Sequence, residues 1–500
     1  MEIRASKAAL IAATFSTGMV YLDQTAINIA LPAIQQGLGL DMSGLQWMLS
    51  AYLLFLSAPL LLCGILGDRY GRVRIYTIGI LLFGLSGLGC GLASSLEQMI
   101  LARAIQGLGA AMMVSVGLAL LVGHSSVESR GKTIGVWVSI TTVIIALGPT
   151  LGGMLVELVS WRLVFVLNLP LSFIGAWIAL RHLPAEPVQS ATRLDWFSVV
   201  LLLVGMGCVI FGLIDSGRNG FLSTHVLATL FAGAAFLLWF FLHQYQASNS
   251  LIPPTLFGYR NFRFINLVTL IQWIPINSAF LLLPLSLQQS QGYSPLEAGF
   301  AMLPISIAVV ILSRLAGRAA DRFGSRLPML SGLLLLTLSL FLLSVAGAID
   351  NYVSDLLPAL LIYGLGLGLL IPPLTSMAMS SLPDAWSGIA SGVNNLASRV
   401  ANLLAIALAG SSMVSLFGSE LALQLAKLST SPDTTALILG QARSLAALDI
   451  PPGLDAVSLN EVQNAIRVAY QSGFSTIMQA CALISLLCAA LVFFYRKGQA

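Results

Sequence analysis

Charged side chains are scarce in this 500-residue sequence: Asp, Glu, Lys and Arg make up 9% of it, whereas 57% of the residues are hydrophobic. A soluble globular domain carries roughly 25% charged residues, so this composition excludes an ordinary soluble protein. The small net charge of +4 gives no reason to expect nucleic acid as a partner. The sequence predicts a polytopic membrane protein whose main surroundings are the lipid bilayer.

Cysteine, histidine and the common motifs of enzymes are also scarce. The five cysteines lie inside apolar runs without metal or disulfide spacing, so we interpret them as small packing residues. The four histidines fall near the ends of apolar runs or between them, and we assign them no coupling role. We find no metal-ligand cluster, no nucleophile with a base and no phosphate loop in the sequence. We therefore expect no cofactor and no metal, and a membrane enzyme or receptor is the least favoured interpretation.

Long hydrophobic runs, by contrast, are abundant. Runs of about 20 apolar residues, the length that crosses a bilayer as an α-helix, recur along the whole chain. They predict an all-α protein with fourteen transmembrane helices near residues 8–31, 45–66, 75–94, 98–122, 133–157, 161–181, 196–215, 225–245, 264–286, 295–316, 327–349, 355–379, 388–415 and 472–495.

The positions of the cations predict the orientation, because cytoplasmic ends of membrane spans carry an excess of Lys and Arg. With the N-terminus inside, most cations fall on the cytoplasmic side, among them Arg72 and Arg322, whereas Lys427 and Arg443 fall outside. Both termini are then cytoplasmic, as an even number of spans requires. One long exterior segment, about 417–471, joins the last two spans.

Two capping-box patterns predict where helices start. In this pattern, Ser or Thr is followed three residues later by Glu or Gln, and the two side chains satisfy backbone N–H groups reciprocally. Ser294 and Glu297 predict the start of the tenth span, with Pro295 at the first helical position. Ser458 and Glu461 predict the start of the helix that enters the last span.

A short charged turn occurs twice, about half a chain apart. GILGDRYGRVR begins at Gly64 between the second and third spans, and GRAADRFGSR begins at Gly317 between the tenth and eleventh. Such a repeat indicates two similar halves, as in many secondary transporters. The copies lie eight spans apart, so two extra helices separate two six-helix bundles. The residues of interest in the two turns are Gly64, Asp68, Arg69, Gly71 and Arg72, and Asp321, Arg322 and Gly324.

Two interpretations of these turns are open. Asp68 and Asp321 could merely balance neighbouring arginines, or they could form gating contacts, which we favour because repeat interfaces must break and reform in alternating access. Ser325 stands in the second copy where the first has Arg72. The second turn is therefore expected to lock less tightly.

Six motifs occur in order along the chain: LDQTAINIALP from Leu22, GILGDRYGRVR from Gly64, LARAIQGLGAA from Leu101, GPTLGG from Gly148, LQQSQGYSPLEAGFAMLP from Leu287, and SGVNNLASR from Ser391. Together they resemble the fourteen-helix drug:proton antiporter branch of the major facilitator superfamily. The resemblance implies the major facilitator fold and proton-coupled export of small amphipathic compounds. It also implies that Gly148, Pro149, Gly152 and Gly153 belong to the fifth-helix motif of antiporter-type exporters.

Asp23 is the carboxylate that we place well inside a span. At a rise of 1.5 Å per residue it lies roughly 22 Å into the first span, and Arg103 lies roughly 8 Å into the fourth from the opposite face. In a core of ~30 Å the two reach a similar depth. They form either a static structural pair or, as we favour, a coupling pair in which Asp23 carries the proton and Arg103 tunes its proton affinity. Glu157, at the outer end of the fifth span, is the next candidate.

Candidate substrate-binding residues lie near mid-depth of the first and ninth spans. Aromatic rings and amides there suit a flat lipophilic cation, although packing between helices is the alternative for each residue. Arg399, deep in the thirteenth span, either touches substrate or only polar neighbours such as Asn395. The remaining candidates are Gln24, Asn28, Gln272, Trp273, Asn277 and Phe280.

The sequence as a whole predicts a six-helix bundle over residues 1–182, two additional helices with linkers over 183–260, and a second bundle over 261–500. The predicted function is proton-coupled export of drug-like small molecules by alternating access, by a monomer in the bacterial plasma membrane. An importer, or an exporter of one dedicated metabolite, remains the alternative. The likeness of GPTLGG to an exporter motif favours export.

Overall fold

The structure is a computed structural model that describes residues 2–124, 130–184, 195–247, 250–346, 351–383, 386–428, 431–451 and 456–495. Every regular element in these ranges is helical. Up to residue 246 the helices are α1 (Glu2–Leu38), α2 (Met42–Ser57), α3 (Leu60–Tyr70), α4 (Arg72–Leu92), α5 (Leu96–Gly123), α6 (Arg130–Leu158), α7 (Arg162–Val166), α8 (Asn168–His182), α9 (Trp196–Asn219) and α10 (Thr224–Gln246).

The later helices follow a short 3-10 segment, Pro254–Gly258. Single π-helical turns extend α11 at Ser286–Ser290 and precede α15 at Tyr352–Leu356. A second 3-10 segment, Ala442–Ala447, follows α17. The α-helices are α11 (Arg260–Leu285), α12 (Pro295–Ala301), α13 (Leu303–Phe323), α14 (Arg326–Val345), α15 (Leu357–Met379), α16 (Ser387–Leu425), α17 (Pro432–Gly440) and α18 (Ala456–Phe494).

Among the described residues, twelve helical segments are long and apolar enough to cross a membrane, or thirteen if α2 and α3 count as one span. These two helices meet at a 45° bend, where Pro59 cannot supply a backbone N–H. Helix α1 is not among the twelve although it has 37 residues, because polar residues such as Asp23 and Gln24 lower its mean hydropathy. The predicted all-α membrane fold is confirmed, and the count of fourteen spans stays a prediction.

The chain forms two compact units. The first comprises Met1–Ala30, Met48–Val209 and Phe231–Gly258, and the second comprises Leu31–Trp47, Ile210–Leu230 and Tyr259–Ala500. In the first unit α4 packs along α5 and α8. In the second unit α14 packs along α15 and α18, and α11 packs along α16.

One helix crossing recurs in both units. A Cβ atom at Gly79 of α4 would lie 2.9 Å from the Met113 backbone nitrogen of α5, and one at Gly332 of α14 would lie 2.8 Å from the Gly366 carbonyl oxygen of α15. Glycine is needed at both positions because the helix backbones approach closely. Gly332 follows Gly79 by the same 253 residues that separate Gly317 from Gly64. The repeat seen in the two turns therefore extends into the helices that follow them.

A histidine–carboxylate contact lies at each end of the pair of additional helices, α9 and α10. His243 Nε2 lies 3.4 Å from Asp195 Oδ2, just before α9, and His225 Nδ1 lies 3.1 Å from Asp215 Oδ2, near its end. Partial burial raises the pKa of Asp195, but hydrogen bonds from Ser198 and the neighbouring His243 outweigh it, so the pKa lies below its ordinary value. These contacts give two of the four histidines a structural explanation.

The segment predicted as an exterior loop, 417–471, is largely helical. α16 continues to Leu425 and α18 already begins at Ala456, each with 39 residues. Such helices are about 58 Å long, well beyond the ~30 Å of a hydrocarbon core. The capping prediction at Ser458 is wrong, because Ser458 lies inside α18. The other predicted capping box, Ser294 with Glu297, is confirmed at the start of α12.

The predicted orientation can be tested by labelling single cysteines from outside the cell. Arg322 and Lys427 both have exposed side chains, and the five native cysteines would first be replaced. We expect a membrane-impermeant maleimide to modify Lys427→Cys but not Arg322→Cys, because the cation asymmetry places only Lys427 outside. Labelling of Arg322→Cys in intact cells would overturn the orientation.

Candidate functional site

Asp23 and Arg103 lie in direct contact in the first unit. Arg103 Nη1 donates to Asp23 Oδ2 at 2.7 Å, and the two side chains are 1% exposed or less. Isolated charges are very costly at such depth, so this pairing is what allows both groups to stay inside the bundle. The structure thus brings the two predicted coupling residues together, and their part in proton transfer stays a prediction.

Two further side chains bind the same carboxylate. Asp23 Oδ1 accepts from Gln106 Nε2 at 3.1 Å and from Asn168 Nδ2 at 2.8 Å. Gln106 in turn accepts through Oε1 from Arg103 Nη1 at 2.8 Å. Three nitrogen donors from α5 and α8 therefore converge on a carboxylate of α1. Hydrogen bonds to an ionised acceptor are roughly twice as strong as neutral ones.

Aromatic rings cover the guanidinium of Arg103. Its Cζ atom lies 4.0 Å from the ring centroid of Tyr52 and 5.8 Å from that of Phe165. A desolvated cation is attracted to a ring face by about 2 kcal/mol or more. The rings exclude water from one side of the buried ion pair. The Cys90 thiol completes the surroundings, with Sγ 3.6 Å from Gln106 Oε1.

Small residues on α4 make room for the part of the site that comes from α7 and α8. A Cβ atom at Gly87 would lie 2.9 Å from the Phe165 carbonyl oxygen and 3.3 Å from Asn168 Cβ. Helix α4 packs against both α7 and α8. Glycine at this crossing lets Asn168, the first residue of α8, come close enough to reach Asp23.

The GPTLGG motif of α6 packs against α1 just beyond Asp23. Gly148, Pro149, Gly152 and Gly153 are all buried. A Cβ atom at Gly152 would lie 2.7 Å from both the Cα and the carbonyl oxygen of Ala26, and one at Gly148 would overlap Thr25 Oγ1. The motif therefore sets the position of α1 two to three residues from the carboxylate.

The two charged turns have closely similar local geometry. Gly71 (φ 94°) and Gly324 (φ 80°) both adopt positive φ between two helices, which residues with a Cβ rarely do. Arg69 stacks on Tyr70 at 5.4 Å, and Arg322 stacks on Phe323 at 5.3 Å. The repeated sequence thus folds into the same turn twice.

In the first turn, Asp68 forms an ion pair with Arg72. Arg72 Nε donates to Asp68 Oδ1 at 2.9 Å, one helical turn away across Gly71. Gly64 lies in α3 with open space around its Cα atom. Asp321 lies near the end of α13, and its side chain is outside the described part of the structure. This geometry fits both charge balance and gating at Asp68.

The candidate substrate residues of α11, in the second unit, differ in burial and in their contacts. Gln272 is buried and donates through Nε2 to Ser485 Oγ at 2.7 Å, while Asn277 donates to the carbonyl of Trp273, one turn earlier. The Phe280 ring packs edge-on against Tyr363 at 5.7 Å. Gln272 and Phe280 therefore already have packing partners, and Trp273 is half-buried.

The remaining substrate candidates, Gln24, Asn28 and Arg399, are half-buried. Arg399 is half-buried, and its Nε is a buried atom without a hydrogen-bond partner among the described residues. The same holds for Gln24 Nε2. Asn28 is half-buried on α1, and Asn395 is exposed and donates to the Ser391 carbonyl of its own helix. Among the described residues, Arg399 and Asn395 form no hydrogen bond with each other.

Several polar residues of the interior were not predicted. Gln106 follows Arg103 by three residues within LARAIQGLGAA, a spacing that puts both on one helix face, and this signal was available. Asn168 is an isolated amide in an apolar run, and nothing in its spacing ties it to Asp23. In the second unit Asn394 donates to Thr269 Oγ1 at 2.7 Å and to Asn266 Oδ1 at 3.3 Å.

A helical membrane protein with two similar charged turns and a buried carboxylate–guanidinium pair has the features of a secondary transporter. Comparison with known proteins identifies the family. The sequence model of the Major Facilitator Superfamily matches residues 13–406, and the chain belongs to this superfamily. It is a multi-pass transporter of the bacterial cell membrane and not an enzyme.

Individual relatives cover most of the chain. The sequence is 32% identical over 404 residues to the multidrug resistance protein Stp of Mycobacterium tuberculosis, covering 80% of this chain and 75% of Stp. It is 28% identical to the tetracenomycin C resistance and export protein of Streptomyces glaucescens, covering 98% and 91%. Among solved structures, a bacterial homolog of the human lysosomal transporter Spinster is similar at a TM-score of 0.69 and 16% identity, covering 98% and 96%. That last likeness concerns the fold alone.

Proposed function

We propose that this transporter exports small amphipathic, drug-like compounds in exchange for protons. The observation that carries the proposal is the carboxylate of Asp23, which is fully buried, faces a guanidinium and accepts from three nitrogen donors. Ionisable groups at such depth are expensive and usually mark ion or substrate pathways. An acid that gains and loses a proton there can couple proton movement to substrate movement.

The coupling scheme follows from the charge of the site. Ionised Asp23 offsets the charge of Arg103 and leaves the site able to accept a lipophilic cation. When a proton arrives from outside, the site becomes more positive by one charge, and a bound cation is released. Because the same carboxylate binds first the cation and then the proton, the exchange needs no second acidic residue. Exchange of one proton for one monovalent cation moves no net charge, so the pH gradient alone would drive it.

Two observations support export rather than import. The GPTLGG motif, which resembles that of antiporter-type exporters, packs against α1 next to Asp23. Stp is named as a multidrug resistance protein and the Streptomyces relative as a resistance and export protein, and both are similar to this chain over most of its length. Drug-like compounds are therefore the substrate class that we propose.

We further propose that Asp68 acts as a gating contact in alternating access. As an exposed ion pair, Asp68 and Arg72 would contribute only about 0–1 kcal/mol to stability. If Asp68 also stabilises one transport state over another, Asp68→Asn should lower the transport rate roughly tenfold, which corresponds to ~1.4 kcal/mol between the states. The measurement is dye efflux from cells, normalised to the amount of protein in the membrane.

A matched control is available in the same turn. Arg74 is exposed, and Arg74→Gln removes one charge there without touching the Asp68 pair. We expect this variant to transport at close to the wild-type rate. Wild-type efflux by Asp68→Asn would show that the turn is structural and that the gating proposal is wrong.

The proposed function is tested most simply in inverted membrane vesicles. We expect an imposed pH gradient, acid inside, to drive uptake of ethidium, a flat monovalent cation, into the vesicles. Collapse of the gradient with nigericin should release the dye. Ethidium uptake that needs no pH gradient, or that requires the opposite one, would contradict proton-coupled export.

A further inference from the structure

Asn168 is the one described donor to Asp23 that lies outside the six sequence motifs. Its side chain is 1% exposed, and its Nδ2 atom lies 2.8 Å from Asp23 Oδ1, closer than Gln106 Nε2 at 3.1 Å. Because a carboxylate oxygen has two lone pairs, these two donors saturate Oδ1. A proton that arrives on this oxygen must displace one of them.

The two amides differ in their freedom to turn. Gln106 Oε1 faces Arg103 Nη1 at 2.8 Å, and a guanidinium has donors only. If the Gln106 amide turned over, its NH2 group would point at another NH2 group. The Cys90 thiol lies on the same oxygen, with Sγ at 3.6 Å, and holds it in the same orientation. Gln106 therefore keeps its N–H directed at Asp23 in either protonation state.

Asn168 has no such cation beside its amide among the described contacts. Its backbone carbonyl accepts from Ser172 Oγ at 2.7 Å, a contact within α8 that leaves the side-chain amide untouched. Rotation by about 180° about the last side-chain bond exchanges the positions of Nδ2 and Oδ1, and this torsion is soft and roughly two-fold. The same residue can thus donate to a carboxylate or accept from a carboxylic acid.

We propose that Asn168 is the positioning residue for the proton step, donating to ionised Asp23 and turning its amide to accept from protonated Asp23. This inference rests on the proposed function, since it matters only if Asp23 gains and loses a proton. The hydrogen bond to the ionised state is the stronger of the two, because charge-assisted bonds are roughly twice as strong as neutral ones. Asn168 therefore favours the ionised state while still offering a partner to the neutral one.

The described contacts of the carboxylate and its partners involve three other charged or titratable groups. Arg103 faces it from α5, the Cys90 thiol lies behind Gln106 on α4, and the Tyr52 ring from α2 covers the guanidinium. The contacts described for α6 at this point involve only Gly148 and Gly152, against Thr25 and Ala26. If a variant at position 168 changes the pH response, these three groups are therefore the other ones whose titration must be considered.

The test is the pH dependence of ethidium binding to the purified full-length protein, followed by fluorescence from pH 5 to 9. Loss of the donor in Asn168→Leu, which has a similar size, makes protonation of Asp23 easier. We expect the midpoint of binding to move to higher pH by roughly 0.5 to 1 unit, a three- to tenfold change in proton affinity. Asn168→Ser, whose hydroxyl can donate or accept, should restore part of the shift and serves as the milder variant if Asn168→Leu folds poorly.

Two controls separate this inference from the proposed function. Ser172→Ala changes a buried side chain one turn further along α8 that does not touch Asp23, and it should leave the midpoint unchanged. Asp23→Asn should abolish the pH dependence altogether. An unchanged or lowered midpoint in both Asn168 variants, with the dependence abolished in Asp23→Asn, would overturn the role of Asn168 alone. A pH dependence that persists in Asp23→Asn would overturn the coupling function as well.

Discussion

Replacing Asp23 by Asn should reduce uphill, proton-driven export to the background of vesicles without the transporter. Asn keeps the size of the side chain and can still accept from Arg103, but it cannot bind and release a proton. The expected loss is at least a hundredfold in the initial rate of ethidium uptake into inverted vesicles, which corresponds to about 3 kcal/mol. A remaining ability to bind should favour neutral compounds over cations, because the guanidinium is then no longer balanced.

Loss of folding must be separated from loss of coupling, since breaking a buried ion pair can cost about 3–5 kcal/mol. The control is downhill exchange of substrate in proteoliposomes, which needs a folded transporter but no net proton movement. We expect Asp23→Asn to retain exchange of a neutral compound such as radiolabelled chloramphenicol. Undiminished proton-driven export of both ethidium and chloramphenicol would contradict the assignment of Asp23, and Glu157 would be tested next.

A single methyl group at Gly152 should disrupt the same site from a different helix. In Gly152→Ala the new Cβ would lie 2.7 Å from the Cα and the carbonyl oxygen of Ala26, both backbone atoms that no side-chain rotation can move. Overpacking of this kind costs about 1–3 kcal/mol, and relief requires α1 to shift. We expect a lower melting temperature and at least a tenfold loss of ethidium transport, because Asp23 lies three residues from Ala26.

Gly89→Ala is the matched control for this prediction. Gly89 also lies in a membrane helix, but a Cβ atom there would sit 3.5 Å from Ala102 Cβ, an ordinary van der Waals contact. It should cost little in stability or transport. Wild-type transport by Gly152→Ala would mean that the close packing of α6 on α1 has no part in the mechanism.

The sequence predicted the helices and the two turns far better than the contacts between helices. Hydropathy is a local property, and each predicted span overlaps one helix or two consecutive helices of the structure. The turns were recognisable because Gly71 and Gly324 carry a backbone requirement that no other residue meets easily. Asp23 and Arg103 could be placed at similar depth by counting residues along two helices.

The partners of the buried carboxylate could not be predicted in the same way. Whether Asn168 reaches Asp23 depends on the rotation of α8 and on its distance from α4, which is short at Gly87, where a Cβ atom would lie 3.3 Å from Asn168 Cβ. The ends of α16 and α18 were also missed, because hydropathy falls where a helix leaves the membrane although the helix itself continues. The depth of a residue in the membrane can be counted along the sequence, whereas the rotation of its helix is decided by packing in three dimensions.

The most direct measurement of proton-coupled exchange at Asp23 is the release of protons when substrate binds. Purified transporter in weakly buffered solution, at a pH near the midpoint of ethidium binding, would be mixed with ethidium while a pH indicator is followed. Competition of one proton and one cation for Asp23 predicts release of up to about one proton per bound ethidium in the wild type and none in Asp23→Asn. Binding without proton release in the wild type, or equal release in Asp23→Asn, would contradict the mechanism.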